Sequence, residues 1–72
     1  MEDLNFKYDY FIHIVGKSGK TYTYAIEADA DLDAFNVVRE FFPDDYPEDE
    51  IRFMEILEKE EIIWGVNLLL KL

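Results

Sequence analysis

Asp29, Asp31 and Asp33, with Glu40 downstream, occupy the first, third, fifth and twelfth positions of an EF-hand calcium loop. Carboxylates at that spacing suit a hard divalent cation. However, the sixth position, where the loop needs glycine for its sharp turn, is Ala34, and Phe35, Val37 and Val38 would put apolar side chains inside the loop. Helix capping explains the aspartates better: Asp31 as an N-cap accepting backbone N–H bonds, and Asp33 at the positive end of the helix. Other reactive chemistry is scarce. Cysteine is absent, the single serine (Ser18) sits in a glycine-flanked turn, and the single histidine (His13) falls within a strand pattern. Nucleophilic catalysis therefore lacks an activated nucleophile beside a base, and zinc lacks ligands. Gly16-Lys17-Ser18-Gly19 does not have the spacing of a phosphate-binding loop. Among seventeen acids, glycosidase-like carboxylate pairs can be drawn at will and carry no information. The expectation is a protein that is not an enzyme and holds neither metal nor cofactor.

What remains is acid set among apolar and aromatic groups. The net charge is −10 on 72 residues. Residues 1–26 are balanced, three acids against three bases, whereas residues 27–61 carry fourteen acids against only Arg39, Arg52 and Lys59. Phosphates repel such a surface, which argues against direct nucleic-acid binding. The charge exceeds the magnitude of ~2–8 common in small soluble domains, and self-repulsion costs stability. A basic partner accounts for it better than solubility alone. Asp44, Asp45, Glu48, Asp49 and Glu50 gather after the expected helix, and Asp29, Asp31 and Asp33 gather before it. In an extended stretch, alternate carboxylates lie roughly 6.6 Å apart, comparable to neighbouring phosphates along a nucleic-acid strand. Charge steers encounter, and tight binding also needs an apolar anchor. Phe35, Phe41, Phe42 and Tyr46 are placed to supply one, with core packing the competing role for most of them.

The elements that position these groups belong to one domain, since 72 residues do not suffice for two. Phe6, Tyr8, Tyr10, Ile12 and Ile14 share one face at period two, a turn follows at residues 16–19, and residues 21–26 alternate again, which predicts a β-hairpin. Leu32, Phe35, Val38 and Phe42, widened by Ala34, Val37 and Phe41, predict an amphipathic helix of roughly three turns, ended by Pro43. Residues 47–60 read two ways. Pro47-Glu48-Asp49-Glu50 resembles a helix start, while a strand puts Ile51, Phe53 and Leu57 on one face and Met54 and Ile56 on the other; the strand is preferred. The unbroken alternation Ile62, Trp64, Val66, Leu68, Leu70, Leu72 predicts a last strand, apolar on both sides through Ile63 and Leu69. A homodimer contact at such an edge would account for that. The expected class is α+β, order β-β-α-β-β, a mainly antiparallel sheet with one helix packed across a face. The acidic N-terminus is unlike a secretory signal, no segment resembles a membrane-spanning helix, and the absence of cysteine fits a reducing compartment, so the cytoplasm is expected.

Tyr8-Asp9-Tyr10, Gly19-Lys20-Thr21-Tyr22, Leu32-Asp33-Ala34-Phe35-Asn36-Val37-Val38 and Asp49-Glu50-Ile51, in that order over about residues 8–58, resemble the short uracil-DNA glycosylase inhibitors of small tailed Bacillus phages. Members of that family are dimers that mimic DNA and trap, in an apolar pocket, the leucine that the glycosylase inserts into the minor groove. The resemblance places Phe35 beside such a pocket. It implies a phage protein acting inside a bacterial host cell to evade host defence. Two positions depart from the family pattern: Asn36 stands in place of an acid and Arg39 in place of a tyrosine. The helix-to-strand connection is longer, and residues 59–72 have no counterpart in the family.

The combined expectation is an acidic DNA-mimic inhibitor whose partner is a basic DNA-binding enzyme, uracil-DNA glycosylase first. The expected contact residues are Asp29, Asp31, Asp33, Phe35, Asn36, Arg39, Phe42, Asp44, Asp45, Tyr46, Glu48, Asp49 and Glu50. The alternatives are a DNA mimic directed at another nucleic-acid enzyme (anti-CRISPR or anti-restriction), an immunity protein or antitoxin against a basic toxin, and a structural module.

Overall fold

β-branched and aromatic residues at period two build the first two strands, β1 (Tyr8–Gly16) and β2 (Thr21–Ala28). The computed structural model describes residues 6–62. β1 and β2 pair antiparallel, from Tyr8 opposite Ala28 to Val15 opposite Thr21. The Gly19 N–H closes the turn onto the Gly16 carbonyl at 2.9 Å, and Gly19 has φ of 94°, a conformation that glycine adopts without steric cost.

The helix α1 spans Asp31–Asp45 and crosses one face of the sheet. Its N-cap is Ala30, in extended conformation and without a side-chain bond. Asp31 is thus the first helical residue rather than the cap, because its carboxylate is drawn to Tyr10 and Lys59 across the sheet. The expected stop at Pro43 is also displaced, since the helix runs on to Asp45 with Pro43 inside it. A residue before proline disfavours the helical region, yet Phe42 is held there by packing. Its ring lies 5.1 Å from that of Tyr22 and 5.2 Å from that of Tyr46. The Tyr46 N–H then closes the last turn onto the Phe42 carbonyl at 2.8 Å.

β3 (Ile51–Glu61) pairs antiparallel with β1, giving the strand order β2-β1-β3. The fold is α+β, with strand-strand-helix-strand order among the described residues. Two register shifts interrupt the β1–β3 pairing: Arg52 is an extra residue between Ile51 and Phe53, and Leu57 is an extra residue between Ile56 and Glu58. The bulge at Arg52 breaks strict alternation, so Ile51 joins Met54 and Ile56 in packing against the core, while Phe53 and Leu57 are exposed. The expected last strand and its dimer contact lie outside the described residues, apart from Ile62, whose N–H bonds to the Lys7 carbonyl at 2.8 Å. Among the described residues no helix is long and apolar enough to cross a membrane.

The core joins Tyr10, Ile12 and Ile14 of β1, Ala28 of β2, and Ala34, Val38 and Phe42 of α1. The helical three stand four residues apart on one stripe. Full burial of a side chain such as Val38 or Ile12 contributes about 1.5–3 kcal/mol. The stripe is narrower than its apolar pattern: Leu32 is 64% exposed and Phe41 49% exposed.

Candidate protein-binding surface

The nine carboxylates of residues 29–50 divide into two groups. In the first, the acid has a hydrogen-bond or ion-pair partner elsewhere in the protein, although most of these side chains lie at the surface. Asp29 accepts the Lys7 N–H at 3.1 Å. Asp31 accepts the Tyr10 hydroxyl and the Lys59 ammonium, both at 2.9 Å. Asp45 accepts the Tyr24 hydroxyl at 2.6 Å. Asp49 accepts the Ser18 hydroxyl at 2.5 Å, the Tyr22 hydroxyl at 2.6 Å, and the N–H groups of Glu50 and Ser18 at 2.8 and 3.1 Å. Glu50 pairs with Lys17 at 2.9 Å. Three tyrosines on the helix-facing side of the sheet thus each donate to an aspartate at or just beyond an end of α1.

The titration behaviour of these groups follows from their partners. The Ser18 hydroxyl, followed by that of Tyr22, holds Asp49 far below the usual carboxylate range. Lys59, then Tyr10, lowers Asp31. Desolvation, then the Asp45 bond, raises Tyr24 well above its ordinary value, and desolvation followed by Asp31 raises Tyr10. Tyr22 is raised chiefly by its bond to Asp49. These hydrogen bonds favour the charged forms of Asp31 and Asp49 and the neutral forms of Tyr10, Tyr22 and Tyr24.

In the second group, Asp33, Glu40, Asp44 and Glu48 are exposed and have no partner among the described residues. The first three lie on the outer side of α1, at spacings of roughly 10 and 6 Å along its axis. Glu48 lies just beyond the last turn. Phe41 is exposed beside Asp44 and Asp45, one turn away on the helix. Tyr46, 39% exposed, packs its ring 4.2 Å from that of Tyr22.

The remaining expected contact residues are placed as follows. Phe42 is 1% exposed and belongs to the core, its ring wedged among those of Tyr22, Tyr24 and Tyr46. Asn36 accepts a bond from Arg39 at 3.1 Å, so these two neighbours on the helix satisfy each other. Phe35 is half-buried and lines a groove of about 800 Å³ between α1 and β3. Ile51, Arg52, Phe53 and Met54 line the same groove, and the sequence pattern did not single them out, because the bulge at Arg52 decides which of them face it.

A second acidic feature was invisible before the strands were paired. Glu27, Asp9 and Glu60 face one another across β2, β1 and β3 on the sheet surface opposite the helix. Like charges directly opposite each other on paired strands are destabilising. His13 and Glu55 pair on that same face at 3.2 Å. Asp29 and Asp31 turn to separate partners and Asp33 has none among the described residues, where no group of three or more histidine, cysteine or acidic side chains is arranged to hold a metal. The chain matches no family model, no curated protein and no solved structure.

Proposed function

We propose that this protein is an inhibitor that presents the outer face of α1 to the basic DNA-binding groove of an enzyme, with uracil-DNA glycosylase the first target to test. One observation carries this reading: the carboxylates of Asp33, Glu40, Asp44 and Glu48, exposed and without partners among the described residues, lie along the outer side of α1 and just beyond its end, with the exposed ring of Phe41 next to Glu40 and one turn from Asp44. The acids that maintain the fold are a different set, so these four are free to replace phosphates. Their field accelerates encounter with a cationic cleft, and the ring supplies the desolvated contact that charge alone lacks.

The test is a steady-state assay of glycosylase activity on a uracil-containing duplex, with the protein at stoichiometric and tenfold-excess concentrations. The expected result is inhibition competitive with DNA that weakens as salt rises, since exposed charges are screened beyond about 8 Å at physiological ionic strength. Replacing the four acids together by Asn and Gln abolishes inhibition while the fold persists. Unaltered turnover at tenfold excess refutes the glycosylase as target. The same protein assayed against a restriction nuclease or a CRISPR effector then decides whether the DNA-mimic reading survives with another enzyme.

A further inference from the structure

Alternation along β1 turns Tyr10, Ile12 and Ile14 to the helix and leaves Asp9, Phe11 and His13 on the opposite surface of the sheet. No described element covers that surface, and Phe11 is 46% exposed on it. Strand pairing builds the surroundings of its ring. Ala25 and Glu58 lie opposite Phe11 on the neighbouring strands, and Glu27 and Glu60 lie opposite Asp9 in the adjoining row. Paired strands stand about 4.8 Å apart and same-face residues about 6.6 Å apart along a strand, so four carboxylates crowd around one aromatic ring. All six residues belong to the lining of a cleft of about 420 Å³, which contains four acids and no base. None of the four carboxylates has a partner among the described residues. In the row beyond Phe11, Glu55 is matched by His13 at 3.2 Å, and Lys59 is held by Asp31 on the helix side. The unmatched charge in the cleft is therefore wholly negative, above an apolar floor.

We propose that this cleft receives an arginine side chain from a segment of a partner protein. The guanidinium stacks on the Phe11 ring and donates to the carboxylates of Asp9, Glu27, Glu58 and Glu60. Charge complementarity makes the occupant cationic, and the ring selects which cation. A guanidinium is planar and weakly hydrated, so it lies flat on an aromatic face while its fork binds a carboxylate through two parallel bonds. A lysine ammonium is a strongly hydrated point charge that gains the attraction without the stacking. A bare metal ion does not answer the charge, because no group among the described residues is arranged to hold one. Three carboxylates abreast on paired strands repel one another, and a bound cation relieves that cost. The cleft lies on the sheet surface opposite α1, so it stands or falls independently of the inhibitor reading.

The experiment titrates the full chain, at physiological salt, with three short peptides of glycine and serine that carry two arginines, two lysines or two citrullines. Distant charges are then screened beyond about 8 Å, and amide chemical shifts locate the contact. The expected result is saturable binding of the arginine peptide, with shifts at Asp9, Phe11, Ala25 and Glu58. The lysine peptide binds there about two- to fivefold more weakly, the worth of an exposed ring–cation contact, and the neutral citrulline peptide does not bind. The double variant Glu27→Gln, Glu60→Gln weakens the arginine peptide about tenfold or more, the loss expected for charge-assisted bonds. Both glutamates are exposed, so the unfolding midpoint is expected to hold or rise as their repulsion is removed. Phe11→Leu keeps an apolar side chain and removes the ring, so it abolishes the preference for arginine over lysine. Four results overturn the proposal: no shift at these amides with millimolar arginine peptide, equal or tighter binding of the lysine peptide in the cleft, binding that the glutamate substitutions leave unchanged, or the same shifts on concentrating the protein alone, which would make a second copy the occupant. Glycosylase turnover is read in no arm, so the two readings fail separately.

Discussion

Asp44 sits where a carboxylate is least welcome. It lies in the last turn of α1, which contains no basic residue, and has no partner among the described residues. An acid at the negative end of a helix costs about 0.3–1 kcal/mol at an exposed site. Glu40, four residues earlier on the same side, adds a like-charge repulsion of about 0.2–0.5 kcal/mol. Together these predict that Asp44→Asn stabilises the protein by roughly 0.5–1.5 kcal/mol at low salt. For a domain of this size, 1 kcal/mol moves the melting temperature by about 4–8 °C, so Tm rises by roughly 2–12 °C. Differential scanning calorimetry at low and at high salt checks both the size and the origin. The gain fades in about 1 M salt, where screening acts within about 3 Å. Under the proposed function the same variant is expected to weaken inhibition of the target enzyme, the signature of a residue kept for binding at the expense of stability. A lower Tm for Asp44→Asn at low salt, or a gain of equal size at high salt, refutes the electrostatic account.

Three further predictions follow from groups inside the fold. Phe42→Ala removes the ring that fills the space between helix and sheet, at a cost of about 3–5 kcal/mol, against a total stability of roughly 4–11 kcal/mol for 72 residues; far-ultraviolet circular dichroism and urea titration are expected to show a largely unfolded or severely weakened chain. The pH profile of stability is expected to fall at both ends. Asp49 and Asp31 have lowered values in the folded state, so their contributions are present above the ordinary 3.8 and are lost as the pH drops below it, whereas Tyr24 and Tyr10 are raised, so theirs are present below 10 and are lost at higher pH; Asp49→Asn is expected to flatten the acid limb in urea titrations, and an unchanged limb refutes its role. A Cβ at Gly16 would collide with the Asp49 carboxylate, so Gly16→Ala is expected to destabilise the wild type and to be nearly neutral once Asp49→Ala has removed the obstacle, a coupling that a double-mutant cycle measures directly.

The hairpin was legible because its signals are local: alternation from Phe6 to Ile14 and over residues 21–26, and a glycine-bearing turn between them in which Gly19 has positive φ. The helix was legible as an element but not in its ends. Asp31 and Phe42 both answer to partners distant in sequence, Tyr10 in one case and the Tyr22–Tyr46 ring cluster in the other, and those partners outweigh capping and pre-proline preference. The third strand was legible as a strand but not in its facing, because a bulged residue looks like any other until it is paired with β1. At the candidate surface, the clusters at 29–33 and 44–50 were visible as charge. What the sequence could not separate was Asp31, Asp45 and Asp49, each bound to a phenol, from Asp33, Asp44 and Glu48, which are free. Composition treats all carboxylates alike, and only tertiary contact distinguishes them.

The two phenol–carboxylate bonds at the ends of α1 also restrict how that helix can slide. Apolar contacts alone are tolerant: with Ala34, Val38 and Phe42 spaced four apart, a helix displaced by one turn would still lay a greasy stripe on the strands. Tyr10 to Asp31 at one end and Tyr24 to Asp45 at the other cannot both survive such a displacement. The polar fastenings therefore set the helix's longitudinal position, the unsatisfied phenols and carboxylates penalise every neighbouring alignment, and a small protein with a thin interior gains a single docked state from bonds made at its periphery.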